Sequence, residues 1–173
     1  MEFFETISRR QSIRKFLDRP IDASQLHAIL DTANHAPSAG NLQAYEISVV
    51  QQPSVRQRLD AATGDQGAIR EAPVVLVFCA VPQRSHERYG ARGEQLFCVQ
   101  DATIACAYAQ LAATALGLSS VWIGAVHEPE VVKEALGLEA GMWPIAFLPI
   151  GYPAEVPLPK PRRPLDELVR TLS

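Results

Sequence analysis

The sequence has few of the residues that mark several common kinds of protein. It contains three cysteines, at positions 79, 98 and 106, and no Cys-x-x-Cys pair. A disulfide framework or a zinc cluster is therefore not expected, and we interpret Cys79, Cys98 and Cys106 as reduced residues that pack in the interior. The four histidines are scattered without His-Glu-x-x-His spacing. This distribution argues against a catalytic zinc site.

The chain also lacks an excess of positive charge and an apolar run that reaches the roughly 20 residues of a membrane span. Its net charge is -3, and acids occupy positions 2 and 5, where a signal peptide would carry lysine or arginine. We therefore expect a cytoplasmic protein with no nucleic-acid or membrane partner. A length of 173 residues with 47% hydrophobic content predicts one domain over residues 1–173.

Three frequent enzyme signatures are missing as well. The sequence contains no Gly-x-Gly-x-x-Gly, no Gly-x-x-x-x-Gly-Lys phosphate loop and no Gly-x-Ser-x-Gly nucleophile elbow. Dinucleotide-binding folds, P-loop enzymes and serine hydrolases of the usual kinds are therefore not indicated.

What the sequence does have is two local clusters of basic residues near its opposite ends. The first is Arg10-Gln11-Ser12-Ile13-Arg14, and the second is Lys160-Pro161-Arg162-Arg163. Arginine grips phosphate well because its planar guanidinium stays charged and can donate to two oxygens together. Two such clusters predict one bound anion. The alternative for the first cluster is a solvated basic helix end, which the helix dipole would favour.

Helical and strand periods alternate along the chain without an internal repeat. Phe3, Phe4 and Ile7 give a first helix an apolar face, and Asp22 and Gln25 have capping-box spacing before a second helix. Strands are expected at 45–50, 73–81, 119–123 and 145–150. Further helices are expected at 53–59, 94–116, 129–136 and 165–172, after an extended proline-rich tail at 155–164. The helix at 94–116 is apolar on several faces, which suits a central position and a dimer interface.

Four ordered pieces of this sequence resemble the motifs of the nitroreductase family of FMN-dependent flavoproteins. The first is the Arg-x-Ser-x-Arg motif at 10–14, and the second is the Pro-Ser-x-x-Asn-x-Gln turn at 37–43. The third runs from Leu-Gly-Leu at 116–118 into Trp-Ile-Gly at 122–124, and the fourth joins Ile-Gly-Tyr-Pro at 150–153 to Lys-Pro-Arg at 160–162. One piece alone would be weak, but the ordered set is specific.

The resemblance implies an α+β fold with α/β/α layers, in which helices flank a central, mostly antiparallel sheet. It also implies an extended C-terminal arm and a homodimer with shared active sites. In the family, NADH or NADPH delivers hydride to non-covalently bound FMN, and a small electron acceptor then replaces the nicotinamide in a ping-pong cycle. Nitroaromatics, quinones and related conjugated compounds are the acceptors implied. No side chain need act as a nucleophile.

The resemblance further assigns FMN contacts to the two basic clusters. Arg10 and Ser12 would meet the phosphate together with Lys160 and Arg162, and Gln11 would belong to the same binding segment. Arg14 would reach the ribityl chain and the pyrimidine edge, where a cation stabilises the reduced, anionic flavin. For Arg14 the alternative is a second phosphate contact or a surface position.

The remaining implied contacts come from a turn and from a strand end. Pro37, Ser38 and Ala39 form a turn of small residues that would approach the flavin from the partner subunit, where Asn41 and Gln43 either bind the cofactor or cap the turn. Ile123 and Gly124 would lie at the flavin N5 edge with Trp122 packed behind, the alternative being an ordinary strand end. We interpret Asp101 either as a helix-terminus charge or as a buried partner of an arginine.

This sequence departs from the family pattern in two places. Ala44-Tyr45 stands where many members have Pro-Trp, and the segment 82–93 is short and polar where longer members carry an extra helical excursion. We expect a more open pocket as a result. Specialised flavin chemistry, such as reductive dehalogenation or flavin fragmentation, and a non-catalytic flavin sensor or store remain alternatives to a reductase.

Overall fold

The computed structural model describes residues 1–158 and 160–172. Within these residues the chain forms helices separated by the strands of one sheet. The helices are α1 (Phe3–Arg9), α2 (Ala23–Asn34), α3 (Pro53–Ala62), α4 (Ala68–Glu71), α5 (Pro82–Arg92), α6 (Cys98–Ala115) and α7 (Pro129–Leu136). The strands are β1 (Tyr45–Val50), β2 (Val74–Ala80), β3 (Ser119–Ser120) and β4 (Trp143–Gly151). Short 3-10 turns cover Ala39–Asn41 and Leu165–Glu167, and a π turn covers Gly93–Phe97.

The sheet has the order β1-β2-β4-β3, and neighbouring strands pair antiparallel. All seven residues of the central strand β2 are buried. Alternate β2 side chains face opposite ways, as the pleat requires. Val75 and Val77 belong to a core cluster with α3, α4 and α7, whereas Val74 and Leu76 belong to a cluster with α2 and α6. The sheet therefore lies between two helical layers, and the predicted α+β fold with a mostly antiparallel sheet is confirmed.

Small side chains let α6 lie close against this sheet. Ala102, Ala105, Ala109 and Ala113 are fully buried in the cluster that includes Leu148 of β4. The helical run 82–115 is long and apolar enough to cross a membrane by length and composition, although the sequence interpretation found no such stretch. Because 44% of its apolar window is buried and its inner face packs on the sheet, it has the position of a core helix.

The cysteines lie in this interior, as expected for packing residues. Cys79, Cys98 and Cys106 are buried and free. Burial raises the pKa of all three thiols, and that of Cys79 reaches about 12. A raised thiol pKa disfavours the reactive thiolate near neutral pH.

Two of the predicted elements are shorter in the structure than expected. The strand expected at 119–123 pairs in the sheet only over Ser119–Ser120, and Ile123 forms a separate bridge to Phe147. The helix expected at 165–172 is only the turn Leu165–Glu167, because the apolar side chains of that stretch are exposed and gain nothing from helical packing.

Two helices were not predicted. The polar segment 82–93 is mostly the helix α5, which begins with Pro82 in its first turn, a position where proline is tolerated. The four-residue α4 follows Gly67, whose φ of +82° marks a left-handed turn. Neither segment has a long apolar period that would indicate a helix.

Candidate active site

The N-terminal basic segment (10–17) runs along the free edge of β3. Ser12 forms a parallel bridge with Ser120, which places it beside the sheet. Three of the predicted cofactor residues flank this bridge: Arg10 and Gln11 are half-buried, and Arg14 is exposed. The pairing with Ser120 therefore fixes the backbone of the motif, and the charged side chains of Arg10 and Arg14 lie on either side of it at the edge of the sheet.

Buried apolar residues and backbone pairs join the same segment to the chain that follows β4. Ile13 and Phe16 are 5% and 8% exposed, so they anchor the segment in the core. Phe16 bridges Pro153, and the Leu17 N–H donates to the Tyr152 carbonyl at 2.9 Å. The structure thus brings together the first and last of the predicted motifs, although well over a hundred residues separate them in sequence.

A carboxylate already occupies the main-chain donors of this segment. Glu155 Oε1 accepts the backbone N–H groups of Arg14 at 2.5 Å and of Lys15 at 3.2 Å. Lys15 in turn makes a 2.9 Å ion pair with Glu71. These two N–H groups therefore bind a carboxylate of the chain itself, and a ligand anion at this segment would be met by its side chains. Glu155 was missed from the sequence, where its only signal is an acid placed directly after the closing motif.

The second basic cluster lies on the C-terminal arm, which we define as 155–158 and 160–172. Lys160 and Arg162 are exposed. The arm leaves the fold at Glu155, next to Arg14, and a chain of five residues can span at most about 17 Å. Their contact with a phosphate stays a prediction.

The turn at 37–43 has a closely specified conformation. Gly40, Asn41 and Gln43 all have positive φ, of +58°, +57° and +44°. This conformation is costly for glutamine, and hydrogen bonds compensate for it. The Gln43 N–H donates to Ser38 Oγ at 3.0 Å, and the Gln43 amide donates to Asn41 Oδ1 at 2.7 Å. Asn41 and Gln43 therefore stabilise the turn, as the capping alternative expects. Pro37 and Asn41 are exposed, and Ser38 and Ala39 are half-buried.

Asp101 holds both ends of this turn from below. Its side chain is 2% exposed, and it accepts the N–H of Ala39 at 2.9 Å and the N–H of Ala44 at 3.3 Å. Asp101 lies in the first turn of α6, but the helical run continues before it through the π turn Gly93–Phe97, so it is not at a free helix end. Among the described residues it forms no ion pair with an arginine, and backbone donors bind its carboxylate instead. It also contributes to the raised pKa of Tyr45, which burial raises most.

An open cavity of about 450 Å³ lies where this turn meets the outer face of α6. Its walls are the predicted turn residues and part of the helical run that follows α5, namely Pro37, Ser38, Ala39, Phe97, Gln100, Asp101, Thr103 and Ile104. The cavity wall is mostly apolar and includes a few polar side chains, which is the usual composition of a small-molecule site.

The strand end at 123–124 is rigid on one side and open on the other. Ile123 exchanges two backbone hydrogen bonds with Phe147, at 2.9 and 2.8 Å. Gly124 is exposed, and a Cβ there would lie 3.5 Å from Trp122 Nε1, which is ordinary contact. Trp122 does lie behind Gly124, and protein packing alone does not require glycine at this position.

The predicted site residues therefore fall into two groups at different ends of α6. The turn is fixed to Asp101, whereas the N-terminal basic segment pairs with Ser120, whose hydroxyl accepts from Gln110 Nε2 at 3.4 Å. Asp101 and Gln110 are about 14 Å apart along the helix axis, at 1.5 Å per residue. One chain thus presents the two halves of the predicted flavin site well apart.

Comparison with known proteins agrees with this fold and these motifs. The sequence matches the Nitroreductase family over residues 7–69 and 60–152, and the chain belongs to that family. It is 33% identical over 177 residues to the FMN reductase [NAD(P)H] of Bacillus subtilis, covering 95% of this chain and 71% of that protein. It is 32% identical over 171 residues to the oxygen-insensitive NADPH nitroreductase of Salmonella typhimurium, with the same coverage of 95% and 71%.

A solved structure gives the same result in three dimensions. The NADPH:FMN oxidoreductase from Vibrio harveyi, complexed with NAD+, superimposes with a TM-score of 0.90 at 30% sequence identity. The match covers 98% of this chain and 76% of that one. The likeness thus extends over nearly all of the chain, including the regions that carry the predicted motifs.

Proposed function

We propose that this protein is an FMN-dependent oxidoreductase that takes electrons from NADH or NADPH and passes them to a small conjugated acceptor. The observation that carries the proposal is the N-terminal basic segment, in which Arg10, Ser12 and Arg14 lie together where the chain pairs with Ser120 and contacts Glu155 at the start of the arm. The similar proteins of Bacillus subtilis and Salmonella typhimurium carry the names of an FMN reductase and an NADPH nitroreductase.

The donor set of this segment fits a flavin phosphate. Arg10 and Ser12 supply a guanidinium and a hydroxyl, and Gln11 lies between them with an amide. The contact of the Arg14 and Lys15 N–H groups with the Glu155 carboxylate supports this assignment, because it keeps the start of the arm beside the basic segment. Lys160 and Arg162 would complete the phosphate site from the arm, and Arg14 would stabilise negative charge on the pyrimidine side of the ring.

Bound FMN would supply the redox chemistry, accepting hydride from the nicotinamide and reducing the acceptor in a ping-pong cycle. The chain then needs to hold the ring and exclude competing contacts rather than provide a nucleophile. Ile123 fixes a wall of the site through its two hydrogen bonds with Phe147, and Gly124 leaves space at that wall. Pro37, Ser38, Ala39 and Asn41 would form the opposite wall.

We further propose that residues 1–173 act as one FMN-binding domain and that two copies form a homodimer with shared sites. The outer face of α6 carries an apolar stripe at helical spacing, composed of Ile104, Ala107, Tyr108, Leu111 and Ala115. If two α6 helices pack antiparallel about a two-fold axis, the Asp101 end of one meets the Gln110 end of the other. The turn of one subunit then faces the basic segment of its partner.

Exposed apolar side chains elsewhere support the same assembly. Phe3 and Phe4 of α1 are 64% and 84% exposed, and the arm exposes Val156, Leu158, Leu165, Leu168, Val169 and Leu172. So much apolar surface is unusual on a monomer and marks an interaction surface. An arm that lies across a second subunit would bury it. The three free cysteines are compatible with a reducing cytoplasm.

Anaerobic mixing with each nicotinamide tests the reductase function. The purified, FMN-loaded protein should lose its visible flavin absorbance with NADH, NADPH or both, and regain it when a quinone or nitroaromatic is added. Flavin that stays oxidised with both donors would contradict the reductase and favour a sensor or storage role. Reduction by a donor without reoxidation by these acceptors would instead favour specialised flavin chemistry.

A further inference from the structure

Helix α5 carries arginines that reach the turn at 37–43. Arg84 Nε donates to the Leu42 carbonyl at 2.5 Å, and Arg88 Nη1 donates to the Gly40 carbonyl at 3.2 Å. The two arginines lie one helical turn apart, on the same face of α5. Each uses only part of its five N–H donors in these contacts. Within the described part of the chain the remaining donors have no hydrogen-bond acceptor, so they are available to a ligand beside the turn.

A pair of aromatic rings joins Arg88 to a third arginine. The Arg88 guanidinium lies 5.5 Å from the Tyr89 ring, Tyr89 packs edge-on against Phe97 at 5.2 Å, and Arg92 lies 5.7 Å from Phe97. Gly90, with φ of +59°, breaks the helix between Arg88 and Arg92. The Arg88 guanidinium thus lies near Tyr89 and the Arg92 guanidinium near Phe97, the two rings of one edge-to-face pair, and Phe97 also lines the 450 Å³ cavity.

The charge of this α5 arginine cluster (Arg84, Arg88 and Arg92) is not balanced locally. All three residues are exposed, and among the described residues none of them forms an ion pair with a carboxylate. Glu94 pairs with His86 instead, at 2.9 Å. Three uncompensated cations beside an apolar cavity, in a chain of net charge -3, indicate a site for an anionic ligand.

The combination of charge and aromatic surface narrows the chemistry of that ligand. A phosphomonoester carries close to two negative charges near neutral pH and suits two guanidinium groups. The half-buried Phe97 ring, which lines the cavity, offers an apolar surface for a purine. We propose that Arg88 and Arg92 bind the 2′-phosphate of NADPH, with its adenine against Phe97, and that this contact selects NADPH over NADH. Arg84 holds the turn and adds to the local positive potential.

The inference rests on the proposed reductase function, and the donor-selectivity ratio tests it. We expect kcat/KM for NADPH to exceed that for NADH in the parent protein. Arg92→Gln and Arg88→Gln should each reduce the ratio of the two by about tenfold or more, because a charge-assisted bond to the phosphate is lost. Arg92→Gln is the cleaner variant, since Arg92 donates to neither turn carbonyl in the described contacts. Damage to the flavin site would lower kcat/KM for NADPH and for NADH by the same factor, so the ratio of the two would not change.

Arg58→Gln is the matched control, because Arg58 pairs with Glu134 on the α3 and α7 side of the sheet. It should leave the ratio within about twofold of the parent, the range expected for loss of an exposed pair. The proposal would be overturned if kcat/KM for NADPH in the parent did not exceed that for NADH. It would also be overturned if Arg88→Gln and Arg92→Gln each lowered kcat/KM equally for the two donors. Equal losses would point to an anion shared by the donors, such as their pyrophosphate.

A binding measurement separates this inference from the reductase function. By calorimetry, adenosine 2′,5′-bisphosphate should bind the parent about tenfold more tightly than adenosine 5′-monophosphate, and Arg92→Gln should remove most of the difference. Equal binding of the two nucleotides would overturn the proposal even in an active enzyme. If neither nicotinamide reduces the flavin but the bisphosphate still binds selectively, the reductase function fails and the nucleotide site stands.

Discussion

The turn at 37–43 and the C-terminal arm are both predicted to hold the cofactor, yet they are built in opposite ways. The turn is held by Asp101 from below and by Arg84 and Arg88 from the side. The arm is exposed over 160–172, and its local contacts include a 3.2 Å pair between Arg163 and Glu167. Its apolar side chains face outward.

The difference teaches which half of the site a single chain can organise. Four hydrogen bonds fix the carbonyl and N–H groups of the turn, so it is ordered during folding and little ordering cost remains when a ligand binds. The exposed leucines of the arm have no such contacts among the described residues, so in the proposed dimer the arm would gain order from the second subunit and from the phosphate. We therefore expect changes in the turn to affect stability and binding together, and changes in the arm to affect binding alone.

The largest effect should come from Asp101→Asn. An asparagine oxygen can accept one of the two N–H groups but its amide would oppose the other, so a buried donor is left unsatisfied. We expect the free energy of unfolding to fall by about 1–3 kcal/mol. FMN affinity should fall with it, because Ala39 and Ala44 lose their common anchor. Denaturant unfolding and fluorescence titration with FMN measure the two effects.

Asp31→Asn provides the comparison for that change. Asp31 is an exposed residue of α2 whose carboxylate lies 3.7 Å from His35. Replacing this carboxylate by an amide should lower the free energy of unfolding by no more than about 0.5 kcal/mol. If Asp101→Asn were as stable as Asp31→Asn and bound FMN like the parent, the turn would not depend on its buried carboxylate.

A smaller and more selective effect is expected from Arg162→Ala on the arm. Loss of one charge-assisted phosphate contact should weaken FMN binding by roughly 10- to 100-fold, with the unfolding free energy unchanged within about 0.5 kcal/mol. Arg163→Ala is the control, since Arg163 is engaged with Glu167. Equal FMN affinity for Arg162→Ala and the parent would remove Arg162 from the phosphate site.

Much of the fold was predictable because its signals are local. The strand at 45–50, the buried strand β2 and the capping box at Asp22 were all visible in sequence spacing, and the Gln25 side chain does accept the Asp22 N–H at 3.2 Å. By contrast, α5 is mostly polar. Its arginines contact carbonyls more than 40 residues away in sequence, which no periodicity reveals.

The candidate site, too, depends on contacts between residues that are far apart in the sequence. The motifs located the turn and the basic segment, but not what supports them. Asp101 meets backbone groups about 60 residues earlier in the chain, and Glu155 meets the backbone of Arg14 and Lys15 from the opposite end. Every residue except proline has a backbone N–H group, so the residue type does not indicate which N–H groups bind a carboxylate. These partners become visible only once the fold has brought the segments together.

The shared site is the central claim, and FMN binding by mixed dimers tests it most directly. Arg10→Ala damages the basic segment and Asp101→Asn damages the turn, so each homodimer should retain little FMN. Differently tagged copies purified as a mixed dimer should hold one FMN at parental affinity, because one site would combine the intact turn of one subunit with the intact segment of the other. A mixed dimer that binds FMN no better than either homodimer would contradict the account, since each site would then lie within one chain.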